Sequence, residues 1–230
     1  MSEVRTQLTP TRRAIVVMGR LPLPGKVKTR LAARFGPEAA ARLYAAFLED
    51  VLVLVEALAE AIQAEALFCC ALDGAPLTEA AALCPPGVRA IPQGDGDLGT
   101  RMEQARRDAG APHVVIVGSD APTMPRERIF QAFTKLDAGA AAVFGPTVDG
   151  GYDLVGLPGP AGRLFRGIPW STDLVMSATR ATALQVGLHI EELGVGYDLD
   201  EPEDLERALL DSQDGRAPRT RAAIRAVLGR

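Results

Sequence analysis

The sequence predicts an α/β fold, a three-layer α/β/α sandwich with a mostly parallel central sheet. Residues 14–19 (Ala-Ile-Val-Val-Met-Gly) and 114–118 (Val-Val-Ile-Val-Gly) are uncharged apolar runs, each closed by glycine. That is the pattern of strands buried on both faces. Strand-like runs alternate with helical periodicities over most of the chain, as parallel strands joined by crossover helices require. With 230 residues, 47% of them hydrophobic, the chain can bury a core without disulfides or a structural metal.

Residues 1–12 read as a flexible tail and 13–230 as one domain, since no repeat, low-complexity tract or long linker divides them. A loop over 20–30, rich in proline, glycine and basic residues, follows the first strand. Pro37 opens a helix to about residue 60, with Leu43, Phe47, Val51, Leu54 and Leu58 spaced along its apolar face. Strand signals at 64–72 and 88–92 enclose a short helix at 75–83. A helix over 98–109 carries Leu98, Met102 and Ala105 on one side. After the strand at 114–118 come a helix at 125–136, strands at 140–145 and 152–157, and helices at 171–186, 201–210 and 219–228. Ser171 or Thr172 is the expected cap of the helix at 171–186. Asp200 or Glu201 is expected to cap the next, which Pro202 opens.

The formal net charge of −4 argues against long polyanions, so nucleic acid is not an expected partner. A small anion held by a local basic cluster fits better. No apolar run approaches the ~20 residues of a membrane span. Met1 to Pro10 contains no stretch of signal-peptide type, and the protein is expected in the cytoplasm. Cys69, Cys70 and Cys84 lack Cys-x-x-Cys spacing and read as small hydrophobes, with the adjacent pair pointing to opposite sheet faces. His113 and His189 flank strands and read as structural.

Ligands of such sheets sit beyond the carboxyl ends of the strands. The loop at 20–30 holds four cations there: Arg20, Lys26, Lys28 and Arg30, with Pro22 and Pro24 for stiffness and Gly25 for a close turn. It is either a phosphate cradle or a solvated basic loop. It matches neither the Walker spacing nor the Gly-x-Gly-x-x-Gly turn. Asp120, just past the strand at 114–118, is a candidate ligand for a hard cation; a turn-forming or helix-capping Asp is the alternative. Asp198 and Asp200 alternate and share one face of an extended segment, so they could meet Asp120. In the turn at 145–152, Asp149 could accept hydrogen bonds from substrate hydroxyls, and Gly150 and Gly151 would allow close backbone approach. Asp-Gly is equally an ordinary hairpin turn. Trp170, the sole tryptophan, walls a pocket or simply packs.

These segments together resemble a known family. Its motifs are Pro-x-Pro-Gly-x-x-Lys-Thr-Arg-Leu at 22–31, Gly-Asp-Leu-Gly-x-Arg-Met at 96–102 and Gly-Ser-Asp-x-Pro at 118–122. They continue with Gly-Pro-x-x-Asp-Gly-Gly-Tyr at 145–152, Pro-Trp-Ser-Thr at 169–172 and Asp-x-Asp-x-Pro-x-Asp-Leu at 198–205. The ordered set looks like the bacterial glycosyltransferase-A-type family linked to arsenosugar biosynthesis, relatives of phospholactate and molybdenum cofactor guanylyltransferases. The resemblance implies a nucleotide-diphospho-sugar transferase (GT-A, Rossmann-like) fold. It implies that Arg20, Gly25, Lys26, Lys28, Arg30 and Arg101 bind the nucleotide, and that Asp120 holds Mg²⁺ or Mn²⁺ with Asp198 or Asp200. Asp149, Gly150, Gly151, Tyr152, Trp170 and Ser171 would face the substrate, with Asp120, Lys28 and Asp149 catalytic. The family's usual Asp-x-Asp is reduced here to Ser119-Asp120 after Gly118, a form also seen in nucleotidyltransferases.

Three functions are therefore weighed. The first is glycosyl transfer from a nucleotide sugar to a small-molecule acceptor. The second is nucleotidyl transfer from a nucleoside triphosphate to a phosphorylated small molecule. The third is nucleotide binding without catalysis. Oligomeric state is not legible, and a homodimer is left open.

Overall fold

The computed structural model describes residues 12–230. The tail expected over 1–12 lies, apart from Arg12, outside the described residues. The elements are, in order, β1 (Arg13–Arg20), α1 (Thr29–Phe35), α2 (Pro37–Ile62), β2 (Glu65–Ala71), α3 (Leu77–Ala82), β3 (Val88–Pro92), α4 (Leu98–Ala109) and β4 (His113–Gly118). There follow α5 (Arg126–Asp137), β5 (Ala142–Pro146), β6 (Tyr152–Leu157), α6 (Val175–Gln185), β7 (Ile190–Glu192), α7 (Pro202–Asp211) and α8 (Pro218–Leu228).

The seven strands form one sheet in the order β3-β2-β1-β4-β6-β5-β7. Only β6 runs against its neighbours, antiparallel to both β4 and β5. The predicted mostly parallel α/β/α sandwich is the observed one. Its two strongest strand signals, β1 and β4, lie side by side at the centre. Their apolar continuity follows from cover on both faces. Ile15, Val17, Val115 and Val117 pack with α2 and α5, while Ala14, Val16, Val114 and Ile116 pack with α4 and α6. Cys70 and Cys69 divide between the same two faces, and burial pushes both thiols up to about 12.

The helix α2 is buried on two sides. Tyr44, Leu48, Leu52 and Val55 face the sheet, whereas Leu43 and Phe47 join a second core with α1, α7 and α8. The first turn of α8 has no side-chain cap of its own. Asp50 of α2 supplies one, accepting from the backbone N–H of Thr220 at 2.7 Å. This buried carboxylate thus satisfies amide donors that a helix start leaves orphaned.

Three local features depart from expectation. The loop at 20–30 ends in a short helix, α1, that begins at Thr29 and stops at Gly36, one residue before α2. Seven residues are too few to show a period. The strand β7 has only three residues and pairs at the sheet edge, so it gives no run of alternation. The helix expected from 171 starts at Val175, uncapped by Ser171 or Thr172. The Thr172 hydroxyl closes a turn instead, accepting from Leu174 N and donating to Pro169 O. The cap of α7 is as expected: Glu201 and Asp204 form a reciprocal capping box.

One buried ion pair ties the far half of the sheet together. Arg128 of α5 meets Asp153 of β6 at 2.9 Å, with side chains 10% and 2% exposed. Its remaining donors reach the carbonyls of Pro146 and Gly194. Gly145 and Gly196 flank the pair, and a Cβ at either would overlap the Asp153 carboxylate. Burial lifts Asp153 to about 6 although Arg128 pulls the other way. Arg128→Leu would strand that carboxylate, at an expected cost of about 3–5 kcal/mol at pH 8. A raised folded-state pKa gives stability that is present in acid and lost as pH rises, so the cost should shrink at pH 5. Urea unfolding at the two pH values reads both, and an equal loss at each would refute this account.

Candidate functional site

A cleft of 330 Å³ opens beyond the carboxyl ends of β1, β2, β3 and β4, with Arg20, Lys28, Gln93, Arg101, Asp120 and Asp200 among its lining. It occupies the ligand edge that the sheet geometry predicts. Its centre is Lys28. The Nζ atom lies 2.8 Å from Asp120 Oδ1 and 2.6 Å from Asp200 Oδ1. The lysine side chain is 3% exposed, and the two carboxylates are 40% and 44% exposed on the cleft side. Burial alone would strip the charge from such a lysine. The two carboxylates outweigh it and hold the ammonium above its ordinary range.

Local backbone delivers Lys28 to this position. It sits in the left-handed region (φ 46, ψ 53) as the residue before α1, and its carbonyl accepts the first helical hydrogen bond from Ala32 at 2.8 Å. That conformation costs a non-glycine residue about 1–2 kcal/mol, which the paired carboxylates offset. Upstream, Gly25 (φ 75) makes the turn. Arg20 Nη1 donates to the Lys26 carbonyl at 2.8 Å, so one cation of the loop stiffens it. Lys26 and Arg30 project exposed, and Arg30 also meets Glu201 at 3.1 Å.

Asp120 is set by the end of β4. Ser119 is buried and its Oγ shares a hydrogen bond with Tyr44 Oη at 2.9 Å, while Arg20 N donates to the same phenol at 3.0 Å. Burial, reinforced by Asp120, pushes Tyr44 up to about 12. Gly19 makes room here, since a Cβ would stand 3.0 Å from both hydroxyls. The acidic strip arrives by backbone pairing: Leu199 N donates to Asp120 O at 2.9 Å. Tyr197 and Leu199 point into the core, so Asp198 and Asp200 share the other face, as their alternation predicts. Burial first, then Asp120, Asp153 and Asp149, raises Asp198 to about 8.

The remaining predicted residues form a neighbouring group outside the cleft lining. Asp149, Gly150 and Gly151 make the turn of the β5–β6 hairpin, where Asp149 accepts from Thr147 Oγ1 and from Gly151 N. Tyr152 packs at a tilt against Phe144, ring centroids 5.1 Å apart, and edge-on against Trp170 at 6.3 Å. Ser171 follows in a left-handed conformation (φ 65). Asp149 links the two groups through its field on Asp198.

Two residues escaped the sequence reading. Tyr44 sits at a periodic position of α2 and reads as core. Gln93 directly follows β3, and its Nε2 donates to Gly19 O at 2.9 Å and Cys69 O at 3.1 Å. Its Oε1 accepts from Arg101 Nη1 at 3.0 Å. Extending the carboxyl-end rule to β3 would have found it.

Comparison with known proteins places this geometry among relatives. No curated protein matches the sequence. A crystal structure from Desulfovibrio desulfuricans G20, of a protein provisionally named a nucleotide-diphospho-sugar transferase, matches with 31% identity and a TM-score of 0.83. The match covers 95% of this chain and 96% of that one. The inositol-1-phosphate CTP transferase of T. maritima is 12% identical, with coverage of 94% and 96% and a TM-score of 0.57. Glucosyl-3-phosphoglycerate synthase from Mycobacterium tuberculosis, in complex with Mn²⁺ and uridine diphosphate, is 13% identical, with coverage of 96% and 81% and a TM-score of 0.50. The latter two are likenesses of fold, a GT-A-like fold common to glycosyl- and nucleotidyltransferases. The family DUF2064, described as an uncharacterized protein conserved in bacteria, matches residues 54–172, half of the chain, and the chain belongs to it.

Proposed function

We propose that this protein is a cytoplasmic, single-domain, metal-dependent transferase that moves a glycosyl group from a nucleotide-diphospho-sugar to a small-molecule acceptor. The kinship suggested by its motifs is with the arsenosugar-linked family. One observation carries the reading: a basic loop and the Asp120–Lys28–Asp200 cluster converge on one cleft at the ligand edge of the sheet. The name of the Desulfovibrio relative supports it.

In this reading Arg20, Lys26 and Arg30 hold diphosphate oxygens, with Gly25 allowing the loop to close on them. Lys28, charged and immobile, faces the charge that builds on the leaving diphosphate; preorganised charge of this kind lowers a barrier without reorganising. Asp149 accepts hydrogen bonds from substrate hydroxyls, and Gly150, Gly151, Tyr152, Trp170 and Ser171 shape the acceptor side.

Mg²⁺ or Mn²⁺ fits the donors. Asp198 is a carboxyl buried among Asp120, Asp149 and Asp153, a place where a cation relieves repulsion. Among the described residues no three His, Cys, Asp or Glu side chains form a ready metal site. One or two carboxylates plus phosphate oxygens is nevertheless a common Mg²⁺ arrangement. Asp120 and Asp198 are the assigned pair, and Asp200 is the alternative whose Oδ1 Lys28 already engages. When bound, the cation supplies Lewis-acid stabilisation of the diphosphate.

A second reading, nucleotidyl transfer to a phosphorylated small molecule, is favoured by Gly118-Ser119-Asp120 standing where Asp-x-Asp is usual. The products separate the two. Nucleoside diphosphate released from a nucleotide sugar supports the first; pyrophosphate released from a nucleoside triphosphate supports the second. Neither product across a broad panel leaves only non-catalytic binding.

Asp120→Ala is expected to lower turnover by at least about a hundredfold. It should leave the melting temperature within a few degrees, because Lys28 keeps Asp200 as partner. Near-normal turnover in the variant would sink the assignment. Thermal shifts give a further check. Nucleotide with Mn²⁺ should stabilise the wild type more than either alone, and Asp120→Ala should abolish that synergy.

A further inference from the structure

Lys28 is held as a bound cation would be. Its Nζ lies 2.8 Å from Asp120 Oδ1 and 2.6 Å from Asp200 Oδ1, close to the usual lengths of charge-assisted ammonium–carboxylate bonds. The Phe47 ring stands behind it, with the centroid 5.9 Å away. An aromatic face serves an ammonium, whereas Mg²⁺ takes oxygen ligands at about 2.1 Å. The space between the two carboxylates therefore fits the lysine better than it fits a metal ion. Asp200 is built into this arrangement from its backbone. Asp204 Oδ2 accepts from Asp200 N at 3.0 Å and from Glu201 N at 2.7 Å. The start of α7 thus fixes the backbone from which the Asp200 carboxylate reaches Lys28.

The two oxygens of Asp120 differ. Oδ1 is shut off from solvent beside Lys28. The side chain is nonetheless 40% exposed, which leaves Oδ2 as the oxygen open to a ligand. A divalent ion on Oδ1 of Asp120 or Asp200 would have to share that atom with the ammonium, within about 5 Å of its charge. On Asp120 Oδ2 it shares no atom with Lys28. Asp198 lies on the same face of the strip as Asp200. Lys28 and Arg128 are engaged by Asp120, Asp200 and Asp153, and among the described residues Asp198 makes no ion pair.

Charge limits the number of metal ions. With all three carboxylates ionised, Lys28, Asp120, Asp198 and Asp200 sum to −2. One divalent cation neutralises that. A second would leave a positive surplus around a lysine side chain that is only 3% exposed, where unpaired charge is costly.

We infer that the Lys28 ammonium takes the place of a second divalent cation: Asp200 serves to hold Lys28, and the metal binds Asp120 and Asp198 without Asp200. This rests on the metal-dependent reading above and deepens it. Asp200 is then a positioning residue, since it touches Lys28 and not the metal. A cation tethered by the chain is present at every metal concentration, so the positive charge facing the diphosphate does not wait on a second ion.

The test counts and locates Mn²⁺ on the full-length protein. Electron paramagnetic resonance of free Mn²⁺ gives the number bound per chain, and anomalous scattering from crystals soaked in Mn²⁺ gives the position. Wild type should hold one ion, in contact with Asp120 and not with Asp200. Lys28→Met should hold two, the added ion lying between Asp120 and Asp200, and Lys28→Gln repeats the measurement with a polar neutral side chain. Asp200→Asn should still hold one. If neither Lys28 variant folds, wild type and Asp200→Asn decide the matter. Two ions on the wild type, an ion in contact with Asp200, or loss of the ion in Asp200→Asn overturns the inference and leaves the metal-dependent reading standing. A single ion in a folded Lys28 variant also overturns it. Absence of Mn²⁺ from the wild type overturns both together, whatever the variants hold.

Discussion

The buried ammonium of Lys28 is the contact on which this site depends. It joins three segments distant in sequence: the loop after β1, the end of β4 through Asp120, and the strip before α7 through Asp200. Asp120 and Asp200 together more than offset the effect of burial on its charge. The carboxylates in turn tolerate each other only because the cation lies between them. Such mutual attraction fixes the relative positions of the three segments. It also leaves each carboxylate partly open to the cleft, where a ligand can meet it. The left-handed backbone at Lys28 belongs to the same arrangement, a local strain held beside the cleft by surrounding structure.

The scaffold's task is to bring the acidic strip to β4. Backbone bonds do this in sequence. Gly196 pairs beside the β5–β6 turn, and three residues on, Leu199 bonds the carbonyl of Asp120. Arg128 and Asp153 lock the start of that path, with glycine at 145 and 196 because nothing larger fits. The apolar residues of the strip, Tyr197 and Leu199, anchor it in the core beneath α7 and α2. The acids are thus aimed by the burial of their neighbours rather than by contacts of their own. The exception, Asp200, ends on Lys28.

Much of this was legible in the sequence, and the reasons differ by element. The strands β1 and β4 announced themselves because central parallel strands must be apolar on both faces. The alternation of Asp198 and Asp200 predicted their common face because a period of two is unambiguous in an extended segment. By contrast, α1 and β7 are too short for any period to show. Lys28 was legible as a cation in a basic loop but not as a buried one. Sequence gives the charge of a lysine, whereas its burial depends on two carboxylates nearly 100 and more than 170 positions away. Gln93 was missed for a related reason: the carboxyl-end rule could flag it as a residue after a strand, but its contact with Gly19 follows only from the strand order.

The shape of the site also explains why one fold serves two reactions. The phosphate side, built on β1 and β4, has the same demand in both cases: bind a polyphosphate and stabilise negative charge as a bond to phosphorus or to the anomeric carbon breaks. Nothing there needs to distinguish a leaving diphosphate from a leaving pyrophosphate. The distinction must arise where the second substrate lies. In the glycosyl-transfer reading proposed above that is the region of the β5–β6 turn, where Asp149 is engaged by its own turn and also adds to the field on Asp198. A carboxylate so placed suits hydroxyl groups and repels a phosphate. An acceptor that brings a hydroxyl meets a hydrogen-bond acceptor there, while one that brings a phosphate meets like charge unless a cation intervenes. An acidic rim of this kind is one support for the proposed glycosyl transfer to an uncharged acceptor over nucleotidyl transfer to a phosphorylated one.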